Sequence, residues 1–292
     1  VMPTNTIEEL KAMLCEKKHC EDPIERQILR VKVLADGLLV DDDQTLESAG
    51  VLHDESEVTG IYSRNEVEAA TKEAIHAEGL LKVHIPSFLT EIPPKAFENC
   101  NQVVKVAIPD SVTAIGNFAF VNCESLASIT IPESVTTIGD YAFKDCKSLA
   151  CIAIPDSVTV TAIGDFAFAS CESLASITIP LSVTVIGHYA FANCKSLASI
   201  TIPESVTTIG DSAFYGCESL ASITIPESVT AIGEFAFANC KSLASITIPE
   251  SVTVTGMSAF DGCSRLASIT IPESVTAIGN FAFANCKSLA SI

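Results

Sequence analysis

Apolar residues return along most of this chain at one long, fixed interval. The stretch from Ile131 to Ala153, IPESVTTIGDYAFKDCKSLACIA, recurs in close copies from about residue 80 to the end. Its Ile-Pro pair stands at 85, 108, 131, 154, 179, 202, 225, 248 and 271, a spacing of 23 residues with one interval of 25. Periods of this length mark stacked units that bury their apolar faces only against one another. Within one copy, Leu126, Ile129 and Ile131 point inward while Ser128 and Thr130 point out, which predicts a strand. Pro132 ends it, having no amide to donate to a neighbour. Val135 and Ile138 form a second inward patch, and Gly139 allows a turn. Ala142, Phe143 and Cys146 then fill the interior before Leu149 opens the next strand. Nine coils at a strand spacing of ~4.8 Å make an array roughly 38 Å long.

Stacking puts like residues over like. Phe97, Phe120, Phe143, Phe168, Phe191, Phe214, Phe237, Phe260 and Phe283 should form one aromatic column. Cys100, Cys123, Cys146, Cys171, Cys194, Cys217, Cys240, Cys263 and Cys286 should form a parallel ladder of free thiols. Parallel Cβ atoms ~4.8 Å apart exceed the usual disulfide separation, and nine thiols cannot all pair. Free thiols favour a reducing compartment. A line of thiols also does not converge on a metal ion.

The repeat breaks at four places. Cys151 replaces an outward serine, which predicts an exposed, reactive thiol. Two extra residues within Val158 to Ile163 should bulge from the outer wall. Leu181 replaces an acidic residue, and Thr255 stands at a core isoleucine position, predicting a looser wall there. In the first coil Pro93-Pro94 replaces the turn glycine.

The pattern differs over residues 1–62. Thr6-Ile7-Glu8-Glu9 is a capping box, and Ile7, Leu10 and Leu14 give the following helix one apolar face. A strand-like run from Gln27 to Leu34 precedes the turn pair Asp36-Gly37, and a last strand runs from Glu57 to Tyr62. Residues 63–79 read as a connecting helix, capped by Ser63 or Asn65, that covers the open end of the first coil. Cys15, His19 and Cys20 lack a second ligand pair for zinc, so a half-buried thiol pair is the simpler reading.

The motif I-P-x-S-V-T-x-I-G-x-x-A-F-x-x-C-x-S-L-x-x-I-x, over roughly 210 residues, resembles the BspA-type leucine-rich repeat. That resemblance implies a curved parallel β-solenoid with a role in protein contact or surface adhesion. The order TIEELK, LADG and D-x-x-T-L-x-x-x-G-V in residues 1–62 resembles a ubiquitin-like α+β domain. It lacks the family's opening hairpin, and without a terminal Gly-Gly it implies a docking module rather than a conjugated modifier. The expected fold is therefore an incomplete ubiquitin-like domain (1–62), a connecting helix (63–79) and a nine-coil leucine-rich-repeat solenoid (80–292).

Composition narrows the function. A net charge of −19 and a pI near 4.5 disfavour nucleic acid and anionic membranes and favour a basic protein partner. No apolar run reaches the ~18 residues of a membrane span, and VMPTNTIEELK lacks the layout of a secretory signal. Directly after the Ile-Pro pair stand Asp110, Glu133, Asp156, Glu204, Glu227, Glu250 and Glu273, the candidate partner-binding residues. Like charges on neighbouring strands oppose folding, so the array's own stability does not ask for them. A second stripe comprises Asp140, Asp165, Asp211 and Glu234. The position after each cysteine alternates in sign through Glu124, Lys147, Glu172, Lys195, Glu218 and Lys241.

No catalytic, cofactor or metal constellation emerges. His19, His53, His76, His84 and His188 are scattered, and near-identical coils offer no singular pocket in which to shift a pKa. The sequence points to a non-enzymatic interaction scaffold or adaptor, including service as a subunit of a larger assembly, with cytoplasmic localisation favoured. An extracellular adhesin is the alternative, and a signal sequence ahead of Val1 would favour it. Ice or glycan binding on the Ser/Thr strand face is a third.

Overall fold

The computed structural model describes residues 57–59, 82–85, 89–155 and 160–291. The chain forms a parallel β-solenoid of about eight turns, with no helix among the described residues. Three-residue strands such as Ser128–Thr130, Ser176–Thr178 and Ser245–Thr247 build the first sheet. Their central isoleucines are buried and the flanking hydroxyls lie outward, as the alternation requires. This sheet runs in parallel register from Glu57–Thr59 through Lys82–His84 to Ser176–Thr178. It narrows to single bridges at Thr201 and resumes over Ser222–Thr224, Ser245–Thr247 and Ser268–Thr270.

Two-residue strands such as Thr137–Ile138 and Val185–Ile186 form the second side. One sheet there ends at Thr137–Ile138 and the next begins at Ala162–Ile163, so pairing is interrupted at the coil with two extra residues. Residues 156–159, the centre of the expected bulge, lie outside the described residues.

The core is a set of ladders. Nine phenylalanine rings from Phe97 to Phe283 stack at centroid spacings of 5.0–5.6 Å with planes within 9°. The ring-to-ring column is as the repeat predicted. The cysteines also bind one coil to the next. The Cys146 S–H donates to the Phe120 carbonyl of the preceding coil at 3.2 Å, and the thiols from Cys123 to Cys286 repeat that bond at 3.0–3.2 Å. A cysteine thus fills apolar volume and satisfies a buried carbonyl at once.

The turn glycines act through close approach. A Cβ on Gly139 would lie 2.7 Å from the Asn117 nitrogen and 2.9 Å from the Gly116 carbonyl carbon, so adjacent coils meet there backbone to backbone. The left-handed residues lie elsewhere, two per coil. One precedes each cysteine and is Asn, Asp, Ser or Gly throughout, from Asn99 (φ 64°) to Asn285 (φ 55°), residue types that accept or favour that geometry.

The ubiquitin-like domain expected over 1–62 is not supported. Of those residues the structure describes only Glu57–Thr59, and this segment is a strand of the solenoid sheet, parallel to Lys82–His84. A short run with period two fits a solenoid strand as well as the last strand of a separate domain, so the pattern at Glu57–Thr59 does not by itself distinguish them. The rest of that region, the connecting helix at 63–79, and the Cys15–Cys20 pair lie outside the described residues.

Candidate binding surface

Three columns of carboxylates run along the rod, and hydrogen bonding separates them. In the first, Lys147 Nζ meets Glu124 Oε1 at 2.7 Å, and Lys195–Glu172 and Lys241–Glu218 each close at 2.9 Å. The hydrogen bond to Glu124, reinforced by that residue's charge, raises the Lys147 pKa above 10.5. The alternation of sign after the cysteine therefore neutralises itself between coils. Such exposed pairs fix register and solubility more than stability.

The second column is consumed by the backbone. The Asp165 amide donates to Asp140 Oδ1 (2.9 Å), the His188 amide to Asp165 Oδ1 (2.7 Å) and the Glu234 amide to Asp211 Oδ1 (2.8 Å). Asn117 and His188 serve the same purpose, accepting from the amides of Asp140 and Asp211 at 3.0 Å. His188 Nδ1 also lies 3.4 Å from Asp211 Oδ2. Three of the four residues of the stripe read from the sequence as charge, Asp140, Asp165 and Asp211, are backbone acceptors, while Glu234 contributes only its amide.

The third column is left over. Asp110, Glu133, Glu204, Glu227, Glu250 and Glu273 are exposed, one per coil, and none is engaged in an ion pair or side-chain hydrogen bond. Buried prolines such as Pro132 and Pro203 hold the preceding position. The following serines are tied down as well: Ser205 Oγ donates to the Val183 carbonyl at 2.6 Å and Ser251 Oγ to that of Val229 at 2.7 Å. Each carboxylate is thereby presented from a fixed backbone. Leu181, 70% exposed, interrupts the column between Glu133 and Glu204. Asp156 lies outside the described residues.

Cys151 is exposed on the strand face, in register between Ser128 and Ser176. The other repeat thiols are buried, apart from the half-buried Cys286. Desolvation, with repulsion from the neighbouring thiol, pushes Cys146, Cys171, Cys194, Cys217 and Cys240 well above the ordinary value of 9.0, and Cys263 to about 12. Among the described residues no group of three or more His, Cys, Asp or Glu could hold a metal ion. No helix there is long and apolar enough to cross a membrane.

One feature escaped sequence reasoning. Phe118, Tyr141, Phe166 and Tyr189 form a second, outer stack with centroids 4.5–4.6 Å apart, each in the left-handed region at φ 55–60°. An aromatic two residues before the core phenylalanine in four successive coils was its signal, masked by the constancy of the core ring.

A parallel solenoid with an inward L-x-x-I-x-I strand and an outward, repeated surface defines the leucine-rich-repeat class. The pattern of the BspA type leucine rich repeat region, in six copies, matches residues 71–198 and 161–290. The chain belongs to that family. Its first match begins inside the segment read as a connector. Among solved structures, a leucine rich cell surface protein from Faecalibacterium prausnitzii is 30% identical, with 83% of this chain and 85% of that one covered and a TM-score of 0.41. A leucine-rich repeat protein from Bacteroides ovatus is 32% identical, covering 72% and 77%, with a TM-score of 0.36. The leucine rich repeat protein of T. pallidum is 28% identical, covering 74% and 86%, at 0.46. Family membership rests on the repeat pattern. No curated protein matches the chain. Leucine-rich repeat proteins mediate protein interactions, and this family is not typically enzymatic.

Proposed function

We propose that this chain is a non-enzymatic recognition rod of a cell surface, and that it binds a basic protein through the acidic edge formed by Asp110, Glu133, Glu204, Glu227, Glu250 and Glu273, with Asp156 in the same repeat position. One observation carries the reading of the edge. Of three carboxylate columns, one is paired with lysines and the aspartates of another are hydrogen-bonded to backbone amides, while the third is exposed and unpaired throughout. Stacked like charges cost folding energy, and a partner bearing lysine or arginine removes that cost. Leu181 adds an apolar anchor within the edge.

The surface location draws on the F. prausnitzii relative, described as a cell surface protein. It is preferred to the intracellular scaffold that unpaired thiols suggested, because burial and bonding to carbonyls give those thiols a structural role of their own. Antibody against the repeat should label intact, unpermeabilised cells of the source, and labelling only after permeabilisation would return the chain to the cell interior. Affinity capture at low salt should lose its partner when Glu204, Glu227 and Glu250 become Gln; capture that withstands both that change and high salt would remove the acidic edge from the reading.

A further inference from the structure

The residue after each turn glycine ties one coil to the next by accepting from the amide of its counterpart in the following coil. Asn117 accepts from Asp140 (3.0 Å), Asp140 from Asp165 (2.9 Å), Asp165 from His188 (2.7 Å), His188 from Asp211 (3.0 Å) and Asp211 from Glu234 (2.8 Å). Four of these five acceptors are side-chain oxygens. The fifth is Nδ1 of an imidazole, which accepts only while it carries no proton. Histidine is also the side chain whose ordinary charge change falls between about pH 5 and 8.

The same nitrogen has a second neighbour. Asp211 Oδ2 lies 3.4 Å from it, while Asp211 Oδ1 is committed to the Glu234 amide. One residue of the following coil therefore offers His188 Nδ1 both a donor and an anion, and a single nitrogen serves only one. Its lone pair bonds the amide and repels the carboxylate; its N–H bonds the carboxylate and repels the amide. The preceding coil faces the ring with another carboxylate, Asp165, whose Oδ1 holds the His188 amide. Tyr189 on the same turn, Tyr215 on the next and Glu234 one coil beyond complete the titratable groups of these turns, apart from the buried thiols. No lysine or arginine holds this repeat position from Asn117 to Asn280. The His188 side chain is 54% exposed, so solvent protons reach it.

We propose that His188 is a pH-sensitive joint between two coils: its neutral ring accepts the Asp211 amide, and on taking a proton from solvent in mild acid the same nitrogen turns to the Asp211 carboxylate and releases that amide. The change stays local, because backbone bonds hold the two coils on either side. The Gly210 amide remains on the Ile186 carbonyl and the Tyr189 amide on the Asp211 carbonyl, both at 2.9 Å. Acid thus alters the charge and hydrogen bonding of one surface rung and leaves the solenoid standing. This column is separate from the acidic edge, and neither reading depends on the other.

The test is hydrogen exchange of the Asp211 amide, followed by NMR on the full chain from about pH 8 to about pH 5, each rate divided by that of an unstructured chain at the same pH. Protection should fall about tenfold toward acid, the worth of one hydrogen bond, while the amides of Asp165 and Glu234, held by carboxylates, keep theirs. His188→Asn supplies an acceptor that does not titrate, as Asn117 does for Asp140, and should keep the Asp211 amide protected throughout. Asp211→Asn leaves an oxygen for the Glu234 amide but removes the charge that captures the ring, so the fall should move to lower pH. Asp211 protection that is flat with pH in the unaltered chain, that falls equally in His188→Asn, or that falls at the same pH in Asp211→Asn would overturn the proposal.

Discussion

Thr255 stands in register between Ile232 and Ile278 on the second side, 1% exposed, and its hydroxyl has no hydrogen-bond partner. A buried, unsatisfied hydroxyl costs about 1–3 kcal/mol, so Thr255→Ile should raise stability by an amount in that range, read as a higher midpoint in chemical denaturation. The strand itself survives the substitution, because its neighbours hold the register. The cysteines make a prediction in pH. Their folded pKa values are raised, so the neutral thiol is what the fold favours; that contribution is complete below 9.0 and is lost as pH climbs toward the folded values, about 12 at Cys263. Melting temperature should therefore fall above pH 9, and less steeply in a variant with Cys194 and Cys217 changed to Ala. Among the described cysteines, maleimide should modify Cys151 first and Cys286 next, while the fully buried thiols wait for unfolding. The exposure of Cys151 was legible from one outward serine position, but the S–H bond to the phenylalanine carbonyl was not, since spacing says nothing of where a carbonyl turns.

At the scale of one coil, the strand, its proline stop and the inward Leu-Ile-Ile triplet follow from alternation alone. The glycine did not, because its need arises between coils: a side chain on Gly187 would meet the Gly164 carbonyl carbon at 2.8 Å. The residue before each cysteine was equally readable, Asn, Asp, Ser or Gly in all nine coils, and it marks a left-handed backbone. Removing an inner ring of the aromatic column should be costly. Phe191 is fully buried between rings at 5.5 Å on either side, and Phe191→Ala should destabilise the fold by about 3–5 kcal/mol in urea titration. The interruption of the second sheet beside the two-residue insertion separates two blocks of coils there. Hydrogen exchange should show the amides of Thr137–Ile138 and Ala162–Ile163 opening more readily than those of Thr208–Ile209.

Over the whole molecule, periodicity made the solenoid legible but concealed which surface charges are available. The acidic edge and the stripe that begins at Asp140 look alike in sequence, whereas the position after the cysteine already shows its alternation of sign. Those two differ in whether an amide of the adjacent coil reaches the carboxylate, which is a matter of geometry. The N-terminal strand was legible as a strand but not as part of the solenoid, since Glu57–Thr59 carries no Ile-Pro pair to announce that it joins the sheet. If one column alone is free to meet a basic partner, equal charge changes at two places must act unequally. Binding of the captured partner should be measured at low salt for Glu204→Gln, Glu227→Gln, Glu250→Gln and, separately, for Glu124→Gln, Glu172→Gln, Glu218→Gln. Each set removes three negative charges. The first should abolish binding and the second, whose glutamates already face lysines, should leave it largely intact; equal loss from both sets would show that net charge, not the acidic edge, attracts the partner.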